Sequence, residues 1–190
     1  MKKFKIIVFL GVDGSGKSTL IKSIFNKNKI KYKMIHFTPD YFRKKKNPVI
    51  NPHENTKRSK VISLLKIIYW IFNFQIFKIL NYNSKKIFLF DRYLFDLIID
   101  PKRYRFSLSD KTIKFIIKPL LKPDLVVLLT GNPKKIYLRK KEIKLRDTII
   151  LNNKYIKFTK AFDKNIILDA LDRVNLNRSK ILNYFKKQSF

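Results

Sequence analysis

The sequence predicts an α/β fold, a single domain built on a five-stranded parallel sheet with helices on both faces. Three observations carry this. Five short and mostly apolar runs alternate with longer segments of helical periodicity, the order required by a parallel sheet with crossover helices. The first run, 4–10, is apolar almost throughout, as a strand covered on both faces must be. It leads directly into a glycine-rich turn, GVDGSGKST at 11–19, followed by helix-compatible sequence. At 190 residues the chain is long enough for one well-buried domain and short for two, so one domain is assigned to 1–190.

Taken in order, 4–10 is the central strand. The start MKKFKIIVFL imitates an export signal, but cleavage would remove the glycine-rich turn, so a buried strand in a cytoplasmic protein is expected. Helix 18–27 turns Leu20, Ile21, Ile24 and Phe25 to the core, and 29–37 is the second strand. Over 38–55 the pattern breaks at Pro39, Pro48 and Pro52, giving a loop that carries Asp40, Arg43, Lys44, Lys45 and Lys46. A long helix spans 60–80. Lys66, Asn73, Gln75 and Lys78 interrupt its apolar run, which argues against a transmembrane span. Trp70, Phe72, Phe74 and Phe77 suit core packing, with a partner helix in a homodimer, or peripheral contact with a membrane surface, as the other uses of this helix.

The third strand, 86–90, has Asp91 directly beyond it. A helical stretch over 93–99 sets Asp96 and Asp100 four apart on one face. Helix 109–118 is capped by Ser109 and ends before Pro119. After the fourth strand, 125–129, Gly131, Asn132 and Pro133 turn the chain into helix 134–141; helix 148–159, the strand 165–168 ending at Asp169, and helix 175–185 complete it.

Composition narrows the chemistry. With 44 Lys and Arg against 13 Asp and Glu, the formal charge of +31 favours anionic partners, although a lysine-rich coding bias spread over the whole surface gives the same total. No cysteine is present, which excludes disulfides and cysteine metal sites. His36 and His53 are too few and too differently placed for a histidine metal site. No base-reading motif occurs and the aromatic residues cluster in apolar segments, so nucleic acid is not an expected partner.

The turn at 11–19 matches G-x-x-x-x-G-K-[ST], with Gly11, Gly16, Lys17 and Ser18 in the defining positions, Asp13, Gly14 and Ser15 between them, and Thr19 following. Its backbone N–H groups form a nest for phosphate oxygens at a helix N-terminus. Lys17 reaches the β and γ phosphates, and the Ser18 hydroxyl is a ligand for magnesium, so ATP and Mg2+ are the expected cofactors. A strand-terminal aspartate, Asp91, suits the metal or its waters, and Arg92 adds phosphate-binding charge beside it. Asp96 and Asp100 suit either an acceptor hydroxyl or local salt bridges, while Arg103 and Arg105 offer forked donors for phosphate. Lys134, Lys135, Arg139, Lys140, Lys141, Lys144 and Arg146 form a basic edge that reads as a lid over 134–150, with Arg139 its preferred phosphate-binding member.

GVDGSGKST at 11–19, FDRY at 90–93, PDLVVLLT at 123–130, LRKKE at 138–142 and the late strand ending in Asp169 together resemble the thymidylate kinase family of P-loop nucleoside monophosphate kinases. The resemblance covers most of the chain. It implies a P-loop NTP hydrolase fold and transfer of the γ-phosphoryl group of ATP to an acceptor phosphate, with dTMP the first candidate. It also implies that Asp13 faces the acceptor and the metal waters, that Asp91 organises the reacting end, that Arg92 binds the acceptor phosphate and that Arg139 belongs to the lid. The chain departs from that pattern where HFTPD at 36–40 stands for arginine-glutamate-proline, where Asp96 takes a serine-like spacing, and where DPKRYR at 100–105 replaces an alanine-tyrosine-glutamine group. These departures resemble the thymidylate kinase-like branch associated with surface polysaccharide gene clusters. They leave a sugar or lipid-linked hydroxyl as an alternative acceptor, and a regulatory ATP-binding or ATP-hydrolysing role as an alternative function.

Overall fold

A computed structural model describes residues 4–36, 56–57, 59–117 and 122–188. The expected loop at 38–55 with its charged residues, His53, and the helix end before Pro119 lie outside the described residues.

Five parallel strands form one sheet: β1 (Lys5–Leu10), β2 (Tyr32–His36), β3 (Ile87–Asp91), β4 (Leu125–Thr130) and β5 (Asn165–Asp169), in the spatial order β2-β3-β1-β4-β5. The helices are α1 (Lys17–Phe25), α2 (Lys60–Leu80), α3 (Asp96–Ile99), α4 (Asp110–Ile117), α5 (Pro133–Arg139), α6 (Leu145–Thr159) and α7 (Val174–Lys187). β1 pairs with β3 on one side and β4 on the other, so the chain winds first one way and then the other from a central strand. That reversal opens a crevice at the carboxyl ends of the strands, where ligands of such sheets bind. Register then decides what meets there. Asp91 is level with Phe9 on one side and His36 on the other.

The apolar runs of β1, β3 and β4 are buried from end to end because helices cover both faces, in keeping with the continuous pattern in the sequence. Most expected boundaries move by one to three residues. Two differences bear on the site. Asp91 is the last residue of β3 and not the first beyond it, and the helix expected at 93–99 is a single turn, 96–99.

The long helix occupies the expected span and divides into two faces. Ser63, Ile67, Trp70 and Phe74, spaced four, three and four apart, are buried. This inner face joins an aromatic seam in which Phe74 meets Tyr93 edge-on at 5.7 Å and Phe77 meets Phe88 at 5.0 Å. The outer face leaves Val61, Leu65, Ile68, Phe72 and Ile79 exposed. By length and composition α2 could cross a membrane, but its inner face is committed to the core of the domain. Of the four aromatic residues singled out in the sequence, Trp70 and Phe74 are buried, Phe77 is partly buried and Phe72 is 63% exposed.

Candidate active site

The glycine-rich loop at 11–19 follows from β1 running out of the sheet. Gly11 has φ +141° and Gly16, which caps α1, has φ +88°, conformations that side chains rarely tolerate. Between them the chain curls so that Lys17 turns back over its own loop. Its Nζ donates to the Gly11 carbonyl at 2.6 Å and the Val12 carbonyl at 2.9 Å, and lies 3.4 Å from Ser15 Oγ. The ammonium is buried, and desolvation lowers its pKa despite the carboxylates of Asp13, Asp91 and Asp96 nearby.

Ser18 Oγ donates to Asp91 Oδ2 at 2.5 Å, with His36 Nδ1 3.7 Å from the same oxygen. Burial opposes ionisation of Asp91, but the His36 ring 3.7 Å away, the charge of Lys17 and the hydrogen bond from Ser18 outweigh it and hold the carboxyl at about 2. A hydroxyl beside an ionised carboxylate is an all-oxygen donor pair of the kind that magnesium prefers, so Ser18 and Asp91 fit that ion. Because this carboxyl sits below its ordinary value of 3.8, Asp91 stabilises the fold above pH 4 and the gain is lost as pH falls through 2. Asp91→Asn is therefore expected to lose about 2 kcal/mol of stability at pH 7 and to show a smaller deficit at pH 2, measured by denaturant unfolding at both pH values.

Asp13 lies between two guanidinium groups. Arg92 Nη2 donates to its Oδ1 at 2.7 Å and Arg103 Nη1 pairs with its Oδ2. Burial raises the Asp13 pKa, yet Arg92, Lys17 and Arg103 together hold it far below the carboxylate range. Arg92 reaches this position from a left-handed backbone, φ 73°, at the end of β3. Arg139, the last residue of α5, donates from Nη1 to the Ala170 carbonyl at 2.7 Å, across the mouth of β5.

These groups border a cavity of about 730 Å³, lined by the loop from Asp13 to Thr19 and by His36, Asp91, Arg92, Arg139 and Lys140. Beyond β5 it is lined by 170–174. The structure thus brings together Asp13, Gly14, Ser15, Gly16, Lys17, Ser18, Thr19, Asp91, Arg92 and Arg139, and Gly11 supports them from behind. Asp96, Asp100, Arg103 and Arg105 do not line this cavity. Asp96 is buried, accepting from the Tyr93 N–H at 2.9 Å and from the Tyr155 hydroxyl at 2.5 Å, and desolvation raises its pKa. Asp100 is also buried and accepts from the Arg103 N–H at 3.4 Å. Arg105 donates from Nε to the Thr56 carbonyl at 2.7 Å, on the exposed side of the α3–α4 connection.

Sequence reasoning passed over His36, Tyr155, Glu142 and Arg173. Strand register is the signal that finds His36, since the last residue of β2 must lie level with Asp91. Arg173 lines the cavity from the connection after β5, which a parallel topology directs to the same edge as the phosphate loop. Tyr155 carries no sequence signal because its partner, Asp96, is 59 residues away; Glu142 closes the LRKKE segment beside Lys140, but its pairing with the distant Arg103 is not readable from that segment.

No protein-family model matches the chain, and no curated protein matches it. Solved structures do. A deoxyadenosine kinase from M. mycoides with the products dCMP and a flexible dCDP bound is 23% identical with a TM-score of 0.65, over 96% of this chain and 99% of that one. The same enzyme with bound dATP gives 20% identity and a TM-score of 0.63, over 95% and 99% of the two chains. Thymidylate kinase from Candida albicans gives 17% identity and a TM-score of 0.68, over 97% and 92%. At these identities the likeness is one of fold, and it extends over nearly the whole chain.

Proposed function

We propose that the protein is an ATP- and Mg2+-dependent phosphotransferase that moves a γ-phosphoryl group to a nucleoside monophosphate, with dTMP the first candidate. The observation that carries this reading is the contiguity of two unlike half-sites in one crevice. Ser18 and Asp91 suit a metal-bound triphosphate, and Arg92 extends phosphate-binding charge from the very next residue. Magnesium held there by Ser18, with Asp91 beside it, would neutralise charge on the transferring group.

In this mechanism the loop N–H groups and Lys17 hold the donor phosphates in place. Lys17 is already desolvated, so its charge acts in a low-dielectric pocket where little solvent must reorganise. Arg92 orients the acceptor phosphate for in-line attack. Arg139 leaves the Ala170 carbonyl and turns to the transferring group as 134–150 closes.

A hydroxyl acceptor is the second reading, favoured by the fold likeness to an enzyme named deoxyadenosine kinase. That hydroxyl would be oriented by Asp13 or Asp91 at the cavity, and not by Asp96, which is occupied by Tyr155 and the Tyr93 N–H. A magnesium-dependent transfer assay with ATP against nucleoside monophosphates, nucleosides and phosphorylated sugars tests both. Transfer to dTMP at the best rate supports the first reading, and transfer to nucleosides alone supports the second. ATP binding with no transfer to any acceptor counts against both.

Self-association through the outer face of α2 belongs to the same proposal. Phe72→Glu places a charge in that apolar stripe, and light scattering is expected to report a dimer for the parent and a monomer for the variant. A monomeric parent at micromolar concentration excludes this use of α2.

A further inference from the structure

Glu142, in the turn between α5 and α6, takes no part in the mechanism above, yet it stands in a line of charges that crosses the site. Arg92 from the end of β3 meets Asp13 of the phosphate loop, Asp13 meets Arg103 of the α3–α4 connection, Arg103 Nη2 lies 3.7 Å from Glu142 Oε2, and Glu142 Oε1 accepts from Lys140 Nζ at 2.6 Å. Four separate segments contribute to this line. The turn that carries Lys140 and Glu142 also lies directly on the phosphate loop. A Cβ built on Gly14 would come within 2.8 Å of the Ile136 carbonyl oxygen and 3.1 Å of Lys140 Cβ.

Two details show how Glu142 is held. Its Oε2 is buried but makes no hydrogen bond, so Arg103 holds it by charge at 3.7 Å and not by a bond that must be broken. Arg103 and Arg92 share Asp13 and repel each other; burial also opposes their charges, while Asp13 and Tyr104 favour the charged form of both and hold their pKa values above the ordinary arginine range. An anion arriving at Arg92 and Arg103 competes directly with Asp13 and Glu142.

We propose that Glu142 is a built-in counter-ion for Arg103, which an anionic acceptor group displaces, so that filling the acceptor side releases the 139–144 turn from its hold over the donor phosphate loop. The assignment of the two sides rests on the phosphotransferase reading. Displacement detaches the turn from Arg103 while Lys140 stays paired with Glu142, leaving the adjacent Arg139 able to reach donor phosphates. The two sites are then coupled with positive sign, and the coupling is reciprocal.

The test uses the whole chain and Glu142→Gln, which keeps the shape and removes the charge. With a non-hydrolysable ATP analogue filling the phosphate loop, inorganic phosphate is titrated as the acceptor-side anion and its affinity is read by calorimetry. Because phosphate no longer has to displace a carboxylate, Glu142→Gln is expected to bind it about three- to five-fold more tightly than the parent. Glu142→Asp, which keeps the charge, stays near the parent. Without the ATP analogue, so that no donor phosphate re-engages the turn, amide exchange in peptides covering 139–144 is expected to rise when phosphate is added to the parent. In Glu142→Gln it is already raised without phosphate. Equal or weaker phosphate binding in Glu142→Gln, or exchange that phosphate leaves unchanged in the parent, overturns the proposal. If phosphate binding tightens as stated while no acceptor is phosphorylated in the transfer assay, the counter-ion role stands and the phosphotransferase reading is what fails.

Discussion

Lys17→Met is expected to reduce phosphoryl transfer by on the order of 10³-fold while the melting temperature moves by only a few degrees. The loss follows from removing the single loop cation that turns into the phosphate nest, in a pocket where its charge is weakly screened. The small stability change follows from two opposed effects. Met withdraws the donor shared by the Gly11 and Val12 carbonyls, which destabilises the loop, and it relieves the cost of a buried ammonium, which stabilises it. Met is preferable to Ala because its unbranched stem keeps the space beneath the loop filled. Steady-state rates with the best acceptor, together with thermal unfolding, check both parts, and unchanged turnover would remove Lys17 from the mechanism.

Gly11→Ala is expected to act in the opposite manner, on the fold first. At φ +141° any side chain is strained, and here the new Cβ would stand 2.4 Å from the Leu129 carbonyl oxygen, a backbone atom of β4 that cannot rotate away. Relief requires β1 and β4 to separate locally at the point where the phosphate loop leaves the sheet. We expect a loss of about 2–4 kcal/mol and a melting temperature lower by roughly 10 °C, with ATP affinity falling in parallel. A stable variant with normal ATP binding would mean that the loop tolerates a shift at this point.

The elements legible in the sequence were those whose physics is local. β1, β3 and β4 announce themselves because strands covered on both sides must be apolar at every position, and α2 because its inner face repeats at three and four residues. The phosphate loop is legible for a similar reason: its glycines and its lysine all act within nine residues. The acceptor side is a different case. Asp96 and Asp100 form a plausible pair on a short helix, but burial and the Tyr155 hydroxyl, brought by α6, decide what Asp96 does. Arg103 and Arg105 look equivalent by composition, and the backbone sends one to Asp13 and the other to Thr56. In a chain carrying 44 basic residues, type alone cannot separate a lysine or arginine in the crevice from one in solvent; position at the carboxyl edge of the sheet can.

The central placement of β1 also governs when the crevice at the strand ends can exist during synthesis. The Ile6 N–H is bonded to the Asp124 carboxylate, 118 residues further along, and β1 has no sheet neighbour earlier in sequence than β3. β1 must therefore wait for its neighbours β3 and β4, both made later in the chain, before it is paired on either side. Such long-range pairing slows folding and exposes an apolar edge meanwhile. The loop that follows β1 is shaped only when both neighbours have docked, so a ligand of that loop would recognise the finished domain alone. A ligand bound there would then draw late-folding chains toward the native state and hold them there by mass action.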